Sequence, residues 1–165
     1  MRRMAGEGWP EMNRLATMGR ADLVDALTAL VDDYASWIAE QRERIGGDVI
    51  GYDKVAPDAM GRCEAVLQRL REGVQVLGSD DRALEAFRFA NRAMSMQRLR
   101  SVYSLERRRG GAPDLTELEK REKPSWRPFQ LAFVLLSIPA LADPHHRDRT
   151  EPLEAYADLL WFPTG

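Results

Sequence analysis

Eight arginines lie between residues 82 and 109 against only two glutamates, so this segment carries a local charge of +6. The whole chain has a net charge of −2 at pH 7, which leaves −8 for the remaining residues. A basic segment in an otherwise acidic protein is typical of a phosphate-binding face, and the arginine fork suits phosphate geometry. The pattern predicts Arg92, Arg98 and Arg100 as contacts to nucleic-acid phosphates. The alternative is a solvated helix face whose arginines pair with acidic neighbours.

Other residues with catalytic or metal-binding chemistry are few. His145 and His146 are the only histidines, and no third ligand at a suitable spacing supports a zinc site, so a solvated loop is favoured. Cys63 is the only cysteine and lies on an apolar helical stripe, which favours a buried thiol over a nucleophile. No Ser-His-Asp or Cys-His arrangement is visible. The sequence therefore predicts no catalytic residue and no metal ligand.

Length and composition fit one soluble domain, since the chain has 165 residues, 44% of them apolar and 30% charged. The longest apolar run, residues 131–142, is too short to span a bilayer and is interrupted by Ser137 and Pro139. No apolar segment follows the two arginines near the N-terminus, so no secretory signal is predicted. We expect a cytoplasmic protein with no membrane partner.

Three long amphipathic helices are expected to position the basic segment. Apolar residues at three-and-four spacing predict the first helix over 21–45, followed by Gly46 and Gly47 as a C-terminal cap. The second helix is predicted over 57–77, with a proline as its first residue and Gly78 at its end.

The third helix is predicted over about 80–107, with an acidic N-cap at residues 79–81. Its arginines are expected to face largely outward, and its methionines to fill the core. Asn91 lies near the apolar stripe, so its side chain is expected to hydrogen-bond to a facing chain segment. The predicted inward positions are Leu84, Phe87, Ala90, Asn91, Met94, Leu99 and Val102.

The sequence divides into three parts. Residues 1–108 are predicted to form a helical N-terminal domain, and residues 109–125 a charged, glycine-containing linker with a helical turn over 115–121. Residues 126–165 are predicted to begin a second domain.

An almost wholly apolar helix over 131–141, buried on most sides, and a short buried strand over 157–162 make up that second part. The predicted fold class is therefore mainly α. About three long helices are followed by a buried helix and one strand that begins an incomplete α/β core.

The strand runs directly into Pro163, Thr164 and Gly165, where the sequence stops. This arrangement resembles the opening of the nucleotide-binding loop of superfamily 2 helicases, P-T-G-x-G-K-T, in which backbone N–H groups cradle phosphates. The resemblance implies that these three residues bind nucleotide. The loop lysine and threonine, which meet the phosphates and magnesium, are not in this sequence.

A second element of the same kind lies upstream, at residues 127–130. Arg-Pro-Phe-Gln resembles the glutamine element that precedes the phosphate loop in these helicases. The resemblance implies that Gln130 binds adenine, that Phe129 or Trp126 offers a stacking face, and that Arg127 supports the base. The alternative is that Phe129 belongs to the core and Gln130 is a polar residue at a helix N-terminus.

The string from ALEAFRFANRAM through WRPFQLAF to ADLLWFPTG is similar to one family in particular. It resembles the region before and into the first ATPase motif of the large helicase-like protein of DISARM antiphage defence systems, best over residues 83–165. The resemblance implies the N-terminal fragment of an ATP-dependent superfamily 2 DNA helicase or translocase, truncated in its phosphate loop. ATP and Mg²⁺ would be cofactors of the intact protein, with DNA and other DISARM proteins as partners. The fragment alone is expected to hydrolyse nothing.

The residues leave a rival interpretation open. The chain would then be a complete, non-catalytic helical module that binds a protein partner or DNA through its basic third helix. The codons after the last residue distinguish the two, because Gly-Gly-Lys-Thr in frame is expected only of the helicase.

Overall fold

The computed structural model describes residues 11–151, and this part of the chain forms helices and no strand. The mainly α fold class predicted from the sequence is confirmed, whereas the predicted strand over 157–162 lies outside the described residues. Only two isolated β-bridges occur in the described range, Glu11 with Ser125 and Ile45 with Val49. The helices are α1 Met12–Thr17, α2 Arg20–Glu43, α3 Val55–Ser79, α4 Asp81–Arg108, α5 Leu115–Arg121, α6 Pro128–Ala142 and α7 Arg147–Thr150.

Helices α2 and α3 form an antiparallel pair at the centre of the fold. Near the start of α2, Arg20 donates a hydrogen bond to the carbonyl oxygen of Gly78 at the end of α3 (3.3 Å). Near the end of α2, Arg42 forms an ion pair with Glu64 on α3. Leucines and other apolar residues of both helices are buried between these polar ends. Burial of this apolar surface is the main source of the stability of the pair.

Helix α6 packs across α3 at Gly73. A Cβ atom at this position would collide with the backbone carbonyl of Leu135, so glycine is what permits the close approach of the two helices. Leu131 and Leu135 are fully buried at this crossing, but Leu141 at the end of α6 is 75% exposed. The expectation that α6 is buried on most sides is therefore wrong at its C-terminal end, where Leu141 lines an open depression of the surface together with Arg69 of α3. The division at residues 109–125 stays a prediction.

Helix α4 begins as predicted, with Asp80 as its N-cap. The Asp80 Oδ1 atom accepts hydrogen bonds from the backbone N–H groups of Arg82 (2.7 Å) and Ala83 (3.1 Å). This cap satisfies two of the donors that every helix N-terminus leaves unpaired.

The buried face of α4 differs in part from the predicted one. Its buried residues follow a three-and-four spacing through Leu84, Phe87, Asn91, Ser95 and Leu99. The predictions that Ala90 faces inward and that the helix methionines fill the core are wrong, because Ala90 is exposed and Met94 and Met96 are 38% and 45% exposed. The sequence predicted Met94 at the inward position because methionine is more apolar than serine. Ser95 occupies that position instead, one turn after Asn91.

The other helix limits agree closely with the expected ones. Helix α5 coincides with the predicted turn over 115–121, whereas α3 begins two residues before Pro57 and continues through Gly78. Within residues 11–151, no helix has the length and apolar character needed to cross a membrane.

Candidate functional site

A groove of about 450 Å³ lies where α4 passes the segment that enters α6. It brings together Arg98, Arg127 and Gln130, three of the residues predicted from the sequence to bind nucleic acid or nucleotide. These residues come from two parts of the chain that are about thirty positions apart. The remaining lining residues are Met12, Met94, Pro124, Gln97, Ser101 and Ser125.

A buried hydrogen bond fixes the two walls of this groove against each other. The indole N–H of Trp126 donates to Oδ1 of Asn91 at 2.8 Å, and the Asn91 side-chain amide donates to the carbonyl oxygen of Phe87 at 2.9 Å. Asn91 is only 1% exposed, so these bonds replace those it would make with water. The expectation that Asn91 bonds to a facing segment is confirmed.

Gln130 caps the N-terminus of α6 inside the groove. Its Oε1 atom accepts a hydrogen bond from the backbone N–H of Arg127 (3.0 Å), and the backbone N–H of Gln130 donates to the Arg127 carbonyl oxygen (2.9 Å). The side-chain amide keeps one lone pair on Oε1 and both N–H donors. Gln130 therefore has the role of a polar residue at a helix N-terminus, which the sequence left open as an alternative. Adenine binding by its side-chain amide stays a prediction.

The proposed stacking residues are placed less favourably than Arg127 and Gln130. Phe129 is half-buried and is not among the residues that line the groove. Trp126 is also half-buried, packs against the core, and uses its indole N–H to bond Asn91. The structure thus brings two of the four predicted adenine-site residues, Arg127 and Gln130, into one groove. Pro163, Thr164 and Gly165 lie outside the described residues.

The three predicted DNA-contacting arginines do not share one face of α4. With 3.6 residues per turn, Arg98 and Arg100 lie about 160° apart around the helix, and Arg92 and Arg98 about 120° apart. Only Arg98 lines the groove beside Gln130, whereas Arg100 lines the opposite side of α4, next to α5. A single ligand therefore cannot contact all three side chains along one straight line.

These arginines have no acidic partner within residues 11–151. Arg121, by contrast, forms ion pairs with Glu106 (2.5 Å) and Glu122 (3.2 Å). The exposed side chains of Arg92, Arg98 and Arg100 have no such pair in the described part of the chain. Ion pairing with acidic residues of this range therefore does not account for the positive charges of these three arginines.

The sequence interpretation missed Gln97 and Ser101, which line the groove beside Arg98. Their spacing from Met94 and from each other, three and four residues, is that of one helix face. This spacing indicates that the three residues share one helix face, although only the packing of the Pro124 segment shows that the face borders a groove.

A second polar cluster attaches α7 to α3. The Nε2–H group of His146 donates to Glu72 (2.9 Å), while its Nδ1 atom accepts from the backbone N–H of Asp148 (3.2 Å). Arg69 and Asp148 form an ion pair at 3.1 Å, with side chains that are only 13% and 6% exposed. The prediction of a solvated loop is wrong for His146, whose side chain is 12% exposed, because α7 is docked by these contacts.

This cluster and Cys63 do not form a metal-binding arrangement in the described range. No group of three or more His, Cys, Asp or Glu residues within 11–151 is placed to hold a metal ion. Cys63 is half-buried and packs at the edge of the core, next to Tyr34. Burial, together with a hydrogen bond to the Cys63 side chain, raises the pKa of Tyr34 above its ordinary value.

Comparison with known proteins gives one informative result. No protein-family model matches the chain. The chain is similar to the DISARM protein DrmA of Bacillus paralicheniformis, with 35% identity over 147 residues and coverage of 87% of this chain. The chain spans only 12% of the length of that protein. The similarity supports the predicted relation to DISARM proteins, whereas the helicase class stays a prediction.

Proposed function

We propose that this chain forms the N-terminal helical region of a DISARM-type, ATP-dependent superfamily 2 DNA helicase or translocase, acting in the cytoplasm in antiphage defence. The observation that carries the proposal is the 35% identity to DISARM protein DrmA over 87% of the chain. Because the chain spans 12% of that protein, DNA movement and ATP hydrolysis are proposed for the whole parent protein. Other DISARM proteins are its proposed partners.

The proposed DNA contacts are the arginines of α4. Arg92, Arg98 and Arg100 are exposed and have no ion pair within residues 11–151, so they are available for phosphate oxygens. Each phosphate contact releases condensed counterions, which makes binding weaker as salt rises. Because the three arginines point in different directions, they would contact a strand that wraps around α4, or more than one strand.

The proposed nucleotide contacts come from the groove beside α6. Gln130 has two N–H donors and an oxygen lone pair left after capping, which suffices for the paired donor and acceptor on an adenine edge. A volume of about 450 Å³ lies in the usual range for small-molecule sites. The binding site for ATP and Mg²⁺ would be completed by the phosphate loop that begins at Pro163, Thr164 and Gly165. Bound nucleotide would compete with DNA for Arg98, which shares this groove.

The DNA contacts are tested by measuring fluorescence anisotropy of a labelled oligonucleotide with the 165-residue chain. We expect affinity to fall steeply between about 50 and 200 mM salt, and the R98A/R100A variant to lose about tenfold or more in affinity. The control is R62A/R71A, which removes the same charge from two exposed positions on α3. A flat salt response, or equal losses in both variants, would contradict the proposal.

The nucleotide contacts are tested in the full-length parent protein. We expect Q130A to raise KM for ATP with little change in kcat, because the amide binds the base and not the transferred phosphate. The same variant should reduce the preference for ATP over GTP. An unchanged nucleotide preference would overturn the role of Gln130.

The rival candidate, a complete helical protein-binding module, is favoured by one observation. The outer face of α4 exposes large apolar side chains, Phe89 at 70% and Met96 at 45%. The codons that follow Gly165 decide between the candidates. An in-frame Gly-Gly-Lys-Thr sequence supports the helicase, and a stop codon supports the module.

A further inference from the structure

The outward face of α4 carries a seven-residue repeat. Phe89 and Met96 are separated by seven positions, as are Ala86 and Ala93, and each alanine lies three or four residues from the large side chains. Alternate spacing of three and four residues is that of the seam along which two helices pack. The seam continues to Arg82 at one end and to Arg100, Tyr103 and Arg107 at the other.

This face is exposed and uncovered by the other helices of residues 11–151. Phe89 is 70% exposed and Met96 is 45% exposed, and Ala86 and Ala93 are also exposed. At the Met96 end, Leu115 of α5 is 46% exposed and lines a small depression with Met96. Large side chains next to small ones give ridges and holes into which the side chains of another helix can fit. Two large apolar side chains exposed on one face of α4, with a third beside them on α5, form the kind of apolar surface that marks an interaction site.

Positive charge predominates around this apolar seam. Arg82, Arg92 and Arg100 have exposed side chains and no ion pair within the described part of the chain. Glu85 and Glu119 are the nearby carboxylates of α4 and α5. A partner that covers the seam therefore gains most if it brings carboxylates to the arginines.

We propose that this seam binds an amphipathic α-helix of a separate protein, with an apolar stripe flanked by aspartate or glutamate. The helical form follows from the repeat, and the acidic flanks follow from the unpaired arginines. Nucleic acid is a poorer occupant, because the stretch from Phe89 to Met96 presents about 10 Å of alanine, phenylalanine and methionine that no phosphate would bond. The inference goes beyond the proposed function, since it requires neither ATP nor DNA.

The test uses a designed peptide as the probe. The peptide has about four heptads, leucine at the a and d positions, and glutamate at the flanking e and g positions. A matched peptide carries lysine at the same flanks. We expect the 165-residue chain to bind the glutamate peptide at least about tenfold more tightly than the lysine peptide in isothermal titration calorimetry. Equal binding of the two peptides, or binding of neither, overturns the proposal.

Variants of the chain locate the binding site. We expect F89S to weaken binding of the glutamate peptide by about tenfold, because the substitution removes the largest exposed apolar side chain of the seam. The matched control is Y52S, which removes a 61% exposed aromatic side chain from the loop before α3 and should leave binding unchanged. Equal effects of the two variants would show that the peptide binds elsewhere.

Charge reversal gives a second criterion. R100E should reverse the preference so that the lysine peptide binds more tightly than the glutamate peptide. Binding of a duplex DNA oligonucleotide is measured in the same way with the unsubstituted chain and with F89S, because Arg92 and Arg100 are also proposed DNA contacts. If F89S weakens DNA binding as much as it weakens binding of the glutamate peptide, nucleic acid occupies the seam and the proposal fails.

The source of the occupant is tested in the full-length parent protein. A photo-crosslinking amino acid replaces Phe89, and irradiation is carried out in cells that contain the intact defence system. Mass spectrometry should identify a crosslinked peptide from another protein that has acidic residues on both sides of an apolar helical stripe. A crosslink to the same polypeptide, or to DNA, contradicts a separate acidic helix as the occupant.

Discussion

Helices α3 and α4 are similar in length, with 25 and 28 residues, but their surroundings differ. Helix α3 is packed by α2 and α6, and glycine is required where α6 crosses it. Helix α4 packs mainly on α1 and, less extensively, on α3 and α5, and its outward face remains exposed within residues 11–151. Substitutions on α3 should therefore act on folding, whereas those on the outer face of α4 should act on binding.

The largest effect is expected for Gly73→Ala on α3. The new Cβ would collide with the backbone carbonyl of Leu135, so α6 must shift away from α3. Displacement of a backbone, unlike that of a flexible side chain, disturbs the packing of both helices, and we expect a loss of about 3 kcal/mol in the free energy of unfolding. The measurement is chemical denaturation followed by circular dichroism.

Gly61→Ala provides the matched control in the same helix. A Cβ at residue 61 meets no atom within 4 Å, so only the helix preference of alanine acts there. We expect this variant to be more stable by about 1 kcal/mol. Opposite signs of the two effects would support the close crossing of α6 at Gly73, whereas stabilisation by both substitutions would show that α6 does not cross at Gly73.

The next effect concerns the attachment of α7 to α3. Arg69→Ala removes the closer ion-pair partner of the Asp148 carboxylate, which is 6% exposed and keeps a longer contact with Arg147 (3.7 Å). Breaking a fully buried pair costs about 3–5 kcal/mol, but the short α7 can move and admit water, so we expect about 2 kcal/mol. Hydrogen exchange should increase mainly in α7. Arg71→Ala, which removes an exposed arginine two residues away, should change stability by less than about 0.5 kcal/mol.

A smaller loss is expected on the inner face of α4. Asn91→Ala removes the acceptor of the Trp126 indole N–H bond (2.8 Å) and leaves that donor without its partner in a half-buried position. The expected loss is about 1.5 kcal/mol. A double-mutant cycle with Trp126→Phe should give a coupling energy of about 1 kcal/mol. Purely additive losses would show that the hydrogen bond does not fix the groove.

The comparison also shows which features follow from local sequence. Periodic apolar residues predict the positions of α2, α3 and α4 to within a few residues, and the acidic residue before α4 predicts its cap. Asn91 could be assigned a facing partner because a polar residue on an apolar stripe must be hydrogen-bonded. These features depend on neighbours within one or two helical turns, which the sequence displays directly.

Features that depend on distant segments could not be predicted in the same way. The sequence gives no indication that Leu135 passes Gly73, or that His146 bonds Glu72, a residue 74 positions earlier. The convergence of Arg98 with Gln130 likewise depends on how α6 crosses the bundle. Residue types suggested the members of the candidate site, whereas packing decides which of them can contact one ligand.

The smallest expected effect has the opposite sign and concerns Ser95, at the centre of the inner face of α4. Its side chain is fully buried, and its Oγ atom has no hydrogen-bond partner in the described part of the chain. Ser95→Ala removes an unpaired polar group and introduces a better helix former, so we expect a gain of about 0.5–1 kcal/mol in the free energy of unfolding. Ser101→Ala, at an exposed position on the same helix where the hydroxyl donates only to the Gln97 carbonyl oxygen one turn earlier (2.9 Å), controls for helix preference. A loss of stability in Ser95→Ala, with Ser101→Ala unchanged, would show that the Ser95 hydroxyl has a partner in solution and that the inner face of α4 is more polar than the packing indicates.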